Sequence, residues 1–418
     1  MSETKASPLL VIGAGIAGVT AALEAAEMGS DVVLVEALPT IGGRVMRTNN
    51  YFPKLCPPSC GMEINTRRLE RNPRIRVMTS TTITAAEKTD GGWSVTAITA
   101  PAYVTDACTA CGDCEKVCET TVPDPHNLDM SEAKAIRLPH LNAWPTRFVF
   151  DREAVGDAEA KKIADACSYG AIDLDAAETT ETIEVGAVVI ATGWRPYPIE
   201  NLDDLGGGKI ADVIANVQME RMASGSGPTG GTILRPSDNQ PPQKVAFVQC
   251  AGSRDVNHLN YCSGICCLAS LKQATYVKEQ LPDAEVTMYY IDRRTPGRNE
   301  DFLLKVAEIE GVNLVKGKVG RIEQVNGSVT LHVEDVENVK LIEAQADLVV
   351  LATGMVPNAI DDDLALFTRK DEEGFVLDDL SSGITVAGVA RRPEDVASSV
   401  RDATGAAARA VIAAGGRS

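Results

Sequence analysis

Pro8-Leu-Leu-Val-Ile12-Gly13-Ala-Gly15-Ile-Ala-Gly18 reads as a short buried strand that runs into a glycine turn and the start of a helix. The helix continues through about Gly29, and Asp31 to Glu36 supplies a second strand, which completes a βαβ opening. Each glycine has its own task there. Gly13 makes the sharp turn, Gly15 lets the backbone approach a pyrophosphate, Gly18 lets helix and strand pack closely, and the helix N-terminus faces the phosphate charge. Ile16 and Ala17 lie in the same turn. Glu36, followed by Ala37, ends the second strand, where a carboxylate can accept hydrogen bonds from a ribose diol. A lone GxGxxG triplet is weak, but here strand, helix and acid follow in order; the competing reading is a mere glycine-rich turn.

Ile41-Gly42-Gly43-Arg44 comes next and resembles the Gly-Gly-Arg turn of FAD enzymes built on two dinucleotide-binding domains, where that turn lies against the diphosphate and ribityl chain. Ala187-Val-Val-Ile-Ala-Thr192-Gly193 and Asp347-Leu-Val-Val-Leu-Ala-Thr-Gly354 each read as a buried strand ending in a small-residue turn. They resemble the paired Ala-Thr-Gly crossings that join the two domains of that class. Two unrelated Val-rich strands would not share the ending. The expected fold is therefore α/β, a two-dinucleotide-binding, Rossmann-like flavoprotein fold. Its expected parts are an FAD-binding first part over 1–104, an insertion over 105–180, a second dinucleotide-type domain over 181–345, and the remainder of the FAD domain over 346–418.

The second domain departs from the class. Lys244 to Gln249 reads as its first strand, yet the turn after it is Cys250-Ala-Gly252-Ser-Arg-Asp255 rather than a triple-glycine loop. The cradle for an NAD(P) phosphate is missing. Tyr261-Cys262-Ser-Gly-Ile-Cys266-Cys267 follows and leads into a helix from about Leu268 to Gln280. Cys250, Cys262, Cys266 and Cys267 thus converge where a nucleotide would sit, and four thiolates can ligate a [4Fe-4S] cubane. A reactive dithiol and a buried structural set are the competing readings.

The insertion carries Cys108-Thr-Ala-Cys111-Gly-Asp-Cys114-Glu-Lys-Val-Cys118. This C-x2-C-x2-C-x3-C run lets a tight loop aim successive sulfurs at one cubane. A zinc knuckle competes, although zinc sites usually split their ligands into two separated pairs. After it, Arg147 to Phe150, a helix over Glu153 to Ala166 and Cys167-Ser-Tyr-Gly-Ala-Ile172 read as a degenerate second ferredoxin half-repeat. In two-cluster ferredoxins the fourth cysteine of each run serves the other cluster. By that swap Cys108, Cys111 and Cys114 are completed by Cys167, and Cys118 is orphaned; the rival set closes on Cys118 instead. Cys56-Pro-Pro-Ser-Cys60 stays open among cluster ligands, redox thiols near the flavin and inert cysteines, its prolines stiffening the loop.

Composition limits the function. Eleven cysteines behind the polar opening Met1-Ser-Glu-Thr-Lys5, which does not read as a secretory leader, point to a reducing compartment. No apolar run reaches the roughly 18 residues of a membrane span. A formal charge of −18 disfavours nucleic acid and anionic lipid. The four histidines form no Cys-His or Ser-His-Asp pattern. Residues Ala223 to Pro242 read as a long surface loop, and Asn326-Gly327 as a hairpin turn.

Gly13-x-Gly15-x-x-Gly18, Cys108-x-x-Cys111-x-x-Cys114, Val248-Gln-Cys250-x-Gly-Ser-Arg-Asp255, Tyr261-Cys262-x-x-x-Cys266-Cys267 and Val386-Ala-Gly388-Val-Ala-x-x-Pro393-Glu-Asp395 together resemble the A-subunit family of heterodisulfide reductases. Within it, chain length is most similar to the A subunits of quinone-interacting membrane-bound oxidoreductases of sulfate reducers. The family also lacks the aspartate that ordinary members of the fold carry after Gly388. The resemblance implies FAD, one or two [4Fe-4S] clusters and no acid–base catalyst: an electron-transfer subunit relaying electrons between flavin and clusters. It further implies partners: a second similar flavoprotein, a haem- and quinone-bearing membrane subunit, and adenylylsulfate reductase as soluble acceptor in sulfate respiration. The location implied is cytoplasmic, peripheral to the inner membrane through those partners. The rival is a free-standing NAD(P)H-dependent disulfide reductase.

Overall fold

The computed structural model describes residues 8–52, 55–325, 327–360 and 369–415; the polar opening segment and Asn326 of the hairpin turn lie outside them. The chain divides into two compact units, one of residues 1–194, 357–392 and 396–418, the other of 195–356 with 393–395.

In the first unit, β1 (Leu9–Ile12), α1 (Ile16–Glu27) and β2 (Val32–Val35) form the βαβ opening. A parallel sheet runs in the order Ile384–Val386, Ala187–Ile190, β1, β2, Ile75–Met78. Its strands are apolar almost throughout because both faces are covered. One face packs α1 and the C-terminal helix Val396–Gly415 through small residues, Ala21, Ala22 and Ala25 against Ala403, Ala406, Ala407 and Ala410. The other face meets a three-stranded antiparallel sheet, Thr179–Val185, Gly92–Thr99 and Thr81–Thr89, through Trp93, Val95 and Ile183. The insertion has a core of its own, with Ile136, Phe148, Ala160 and Ile163 buried beside Cys114 and Cys118. Its helix spans Asp157–Asp165, shorter than the sequence suggests, because Arg152–Ala154 forms a separate 3-10 turn.

The second unit holds a seven-stranded sheet in the order Val213–Ala215, Leu348–Thr353, Lys244–Ala251, Glu285–Tyr290, Val312–Val325, Ser328–Asp335, Lys340–Ala346. The first five are parallel and the last two continue as an antiparallel meander. Helix Cys266–Gln280 covers one face.

The expected boundaries at 181 and 346 shift. Thr179–Val185 and Ala187–Ile190 pair with strands of the first unit, whereas Leu348–Thr353 pairs with Lys244–Ala251 inside the second, so the crossings fall after Trp194 and after Val356. The stretch expected as a surface loop also differs, since Ile233 is fully buried in the second unit's core.

Candidate cofactor sites

The glycine turn is built on contacts that leave no room for side chains. Gly13 adopts φ +97° and donates to the Val35 carbonyl at 2.7 Å, and a Cβ there would stand 2.5 Å from the Ala191 oxygen. A Cβ on Gly18 would lie 1.7 Å from the Gly13 oxygen. The Gly-Gly-Arg loop closes on this turn: Gly42 donates to the Ala14 carbonyl at 2.8 Å, and a Cβ on Gly43 would be 2.9 Å from the Gly15 Cα. Ile16 and Ala17 start α1 beside it. The result is a narrow backbone-lined cradle at a helix N-terminus, which suits a diphosphate.

Glu36 is buried, its Oε2 accepting from the Ala14 amide at 2.7 Å and its Oε1 from the Leu38 amide at 2.9 Å. Burial raises its pKa while these amides pull it back. The acid therefore braces the turn and Ala37 as well as ending the strand. Arg44 donates from Nε to the Trp194 carbonyl at 2.8 Å, with its guanidinium carbon 5.1 Å from the centre of the Trp194 ring. Burial, with Arg47 adding, pushes its pKa down to about 10. Thr192 and Gly193 are held by Asn358, whose side-chain amide donates to the Thr192 carbonyl at 2.7 Å and whose backbone amide donates to the Gly193 carbonyl at 3.1 Å. Among the described residues, the buried Thr192 Oγ1 has no hydrogen-bond partner. Gly388, at φ +64°, donates to Asp402 Oδ2 at 2.9 Å, and a Cβ there would meet that of Ala17 at 2.8 Å.

The orphaned Thr192 hydroxyl and the side-chain-free cradle fit an FAD. Gly354 is placed elsewhere than expected: it belongs to the second unit, where Ser253 Oγ would lie 2.3 Å from its Cβ. Sequence reasoning missed Trp194, Asn358 and Asp402, which act through tertiary proximity; only the place of Trp194, just after Ala-Thr-Gly, hinted at a role.

The second unit gathers the four expected thiols. The Lys244–Ala251 strand loses regular pairing between Val248 and Ala251, and Cys250 takes φ +57°. The following loop is pinned by Arg254, which donates its amide to the Tyr261 carbonyl at 3.1 Å and pairs with Asp292 at 2.8 Å. Its guanidinium also stands 4.0 Å from Cys250 Sγ. Cys262 Sγ accepts from the Gly264 amide at 3.4 Å; Cys266 and Cys267 open the helix, their thiols reaching the Thr353 and Asp292 carbonyls at 3.3 and 3.6 Å. Burial raises the pKa of Cys250, opposed by Arg254 and increased by Cys267 and Cys262. Burial likewise drives Cys266 up, with Cys267, Cys250 and Cys262 adding. The four sulfurs thus sense one another. Gln249 beside them is 6% exposed, and among the described residues neither its amide atoms nor Ser253 Oγ has a hydrogen-bond partner. Among the described residues no group of three or more His, Cys, Asp or Glu side chains is drawn together as a metal site; what the Cys250 turn offers is a cysteine-only donor set, the ligand chemistry that a cubane takes.

In the insertion, Cys108, Cys111, Cys114 and Cys167 line one small cavity with Phe148, Tyr169 and Ile172. Ala110 at φ +56° and Gly112 at φ +83° wind the loop, and the Ala110 and Ala171 amides donate to Cys108 and Cys167 Sγ at 3.4 and 3.3 Å. Cys114 is pushed up to about 11 by burial, with Cys108 and Cys167 adding. Cys118 is not among the lining residues; it is 2% exposed, its thiol donating to the Thr120 carbonyl at 3.4 Å.

Comparisons with known proteins agree with the flavoprotein fold. The family of FAD-dependent oxidoreductases matches residues 8–57. Solved structures of the same fold include thioredoxin reductase of T. acidophilum (TM-score 0.52, 14% identity, 96% of this chain and 97% of that one). The bacillithiol disulfide reductase of Bacillus cereus is similar too (TM-score 0.53, 13% identity, 99% of each chain). Fold and glycine cradle define an FAD-dependent oxidoreductase of the two-dinucleotide-binding class. Among curated relatives, the A subunit of the H2:CoB-CoM heterodisulfide, ferredoxin reductase of Methanothermobacter marburgensis is 34% identical over 96% of this chain. An iron-sulfur A subunit of the CoB-CoM heterodisulfide reductase of Methanopyrus kandleri is 33% identical over 97%. The chain belongs to the A-subunit family of heterodisulfide reductases. It spans 63% and 64% of the length of those two relatives.

Proposed function

We propose that this chain is a flavin and iron–sulfur electron-transfer subunit in which Cys250, Cys262, Cys266 and Cys267 hold one [4Fe-4S] cluster and Cys108, Cys111, Cys114 and Cys167 hold another. The observation that carries this reading is the one cavity lined by Cys108, Cys111, Cys114 and Cys167 while the Cys118 thiol turns to the Thr120 carbonyl. FAD, when bound, interconverts two-electron and one-electron transfer, and cubanes carry single electrons. The protein's own contribution is placement and tuning. The glycine cradle and Arg44 orient the dinucleotide, Arg254 sets a positive charge beside Cys250, and the Gly264, Ala110 and Ala171 amides donate to sulfurs, which favours the reduced form of a bound cluster.

A cysteine-bearing turn where a nicotinamide phosphate would bind supports an electron-transfer subunit over a nicotinamide-dependent reductase, and the branch proposed for it is the one that serves sulfate respiration. In that branch the chain docks with a second similar flavoprotein and a haem- and quinone-bearing membrane subunit, passing electrons between quinol and adenylylsulfate reductase. Among the described residues no helix is long and apolar enough to cross a membrane, so attachment is through those partners. The test is EPR of the anaerobically reduced chain with Cys250→Ser and Cys111→Ser variants: each removes a different cluster signal. Flavin bleaching by NADH with steady turnover, and no such signals, would identify a disulfide reductase instead.

A further inference from the structure

Cys56 and Cys60 belong to neither thiol group, and Tyr51 joins them. Its amide donates to the Cys56 carbonyl at 3.1 Å, the two residues forming an isolated antiparallel bridge. Its hydroxyl is coupled electrostatically to the Cys56 and Cys60 thiols. The same hydroxyl stands 2.7 Å from where a Cβ would be on Gly61, so glycine beside Cys60 leaves room for the phenol. Tyr51 thus holds Cys56 through its amide and reaches the residue after Cys60 with its hydroxyl.

The spacer is stiff and anchored. Pro57 and Pro58 fix φ, the Cys60 amide donates to the Pro57 carbonyl at 3.2 Å, and α2 (Ser59–Arg71) begins there. Two residues on, Met62 is buried in the core of the FAD domain with its methyl 3.5 Å from a Cβ built on Gly42. The first turn of α2 thus carries Cys60 and braces the flavin loop together. Cys60 is exposed and Cys56 half-buried, so the pair is open to exchange.

We infer that Cys56 and Cys60 form a reversible dithiol/disulfide couple that exchanges an electron pair with the flavin bound by the same unit. Closing the couple forms one S–S bond and releases two electrons and two protons; opening it breaks that bond and takes two electrons, drawn from reduced flavin, and two protons from flavin and solvent. Tyr51 acts as a positioning residue, its backbone amide holding the Cys56 carbonyl. This inference needs only the FAD, not the clusters.

Stepwise anaerobic reduction of the flavin-loaded chain, followed by flavin absorbance and by mass mapping of alkylated peptides, tests it. The oxidised protein is expected to yield a Cys56–Cys60 linked peptide that disappears as the flavin is reduced. A C56S/C60S double variant should take up about two fewer electrons per chain with FAD and iron content unchanged. Free alkylation of both thiols in the fully oxidised protein, equal electron uptake by the variant, or loss of iron from it would each overturn the inference. Should the variant fail to retain FAD, peptide mapping of the natural chain decides alone.

Discussion

Replacing Cys167 by Ser and, separately, Cys118 by Ala separates the two ways of closing the insertion's metal site. Cys167 faces the cavity shared with Cys108, Cys111 and Cys114, and its sulfur contributes to the raised pKa of Cys114. If it is the fourth ligand, its loss removes or degrades one cubane, lowering iron by about four atoms per chain, or by about one where a three-iron remnant survives. Cys118 is 2% exposed and bonded to the Thr120 carbonyl, so its truncation should leave iron unchanged. The cost there is packing, about 1–2 kcal/mol for a small buried group. Iron-to-flavin ratio and low-temperature EPR read the first effect; denaturant unfolding reads the second. Iron loss from Cys118→Ala with retention in Cys167→Ser would refute the cross-over assignment and restore the compact cysteine run.

Other consequences follow from the same geometry. Glu36→Ala removes two amide bonds to a carboxylate, each worth about 1.5–3 kcal/mol, and should lower the FAD-to-protein ratio together with the melting temperature. Gly18→Ala places a Cβ 1.7 Å from the Gly13 oxygen, so α1 must shift and the purified protein should be colourless at flavin wavelengths. Lys272→Ala removes the ammonium 3.0 Å from buried Glu220, which keeps the Gln273 amide at 2.8 Å, a loss of about 1.5–3 kcal/mol readable by denaturant unfolding. Glu159 is held down from 4.5 to about 2 by the Thr120 amide and hydroxyl and the Glu119 amide. Its contribution is present above pH 4.5 and fades as the pH falls toward 2, so Glu159→Gln should flatten the acid limb of the unfolding profile in that window.

The βαβ opening was legible because three glycines, an apolar strand and Glu36 each answer a local steric or charge requirement, and the structure places all of them in one turn. Of the thiols, the ferredoxin ligand swap led from Cys108, Cys111 and Cys114 to Cys167 across a long gap, and the structure lines one cavity with those four. Domain crossings were less so: strand pairing decides to which unit Ala187–Ile190 and Leu348–Thr353 belong, and pairing is a long-range property. Gly354 was assigned to the flavin on its Ala-Thr-Gly ending, but Ser253 and Ser263 surround it in the second unit. Asn358 and Asp402 carry no local pattern, since each works by reaching a backbone group distant in sequence.

Iron-edge anomalous diffraction from anaerobically grown crystals tests the central claim most directly. Two iron peaks per chain are expected, one among Cys250, Cys262, Cys266 and Cys267 and one among Cys108, Cys111, Cys114 and Cys167. No peak at the Cys250 turn, with a bound nicotinamide nucleotide in its place, would contradict that claim.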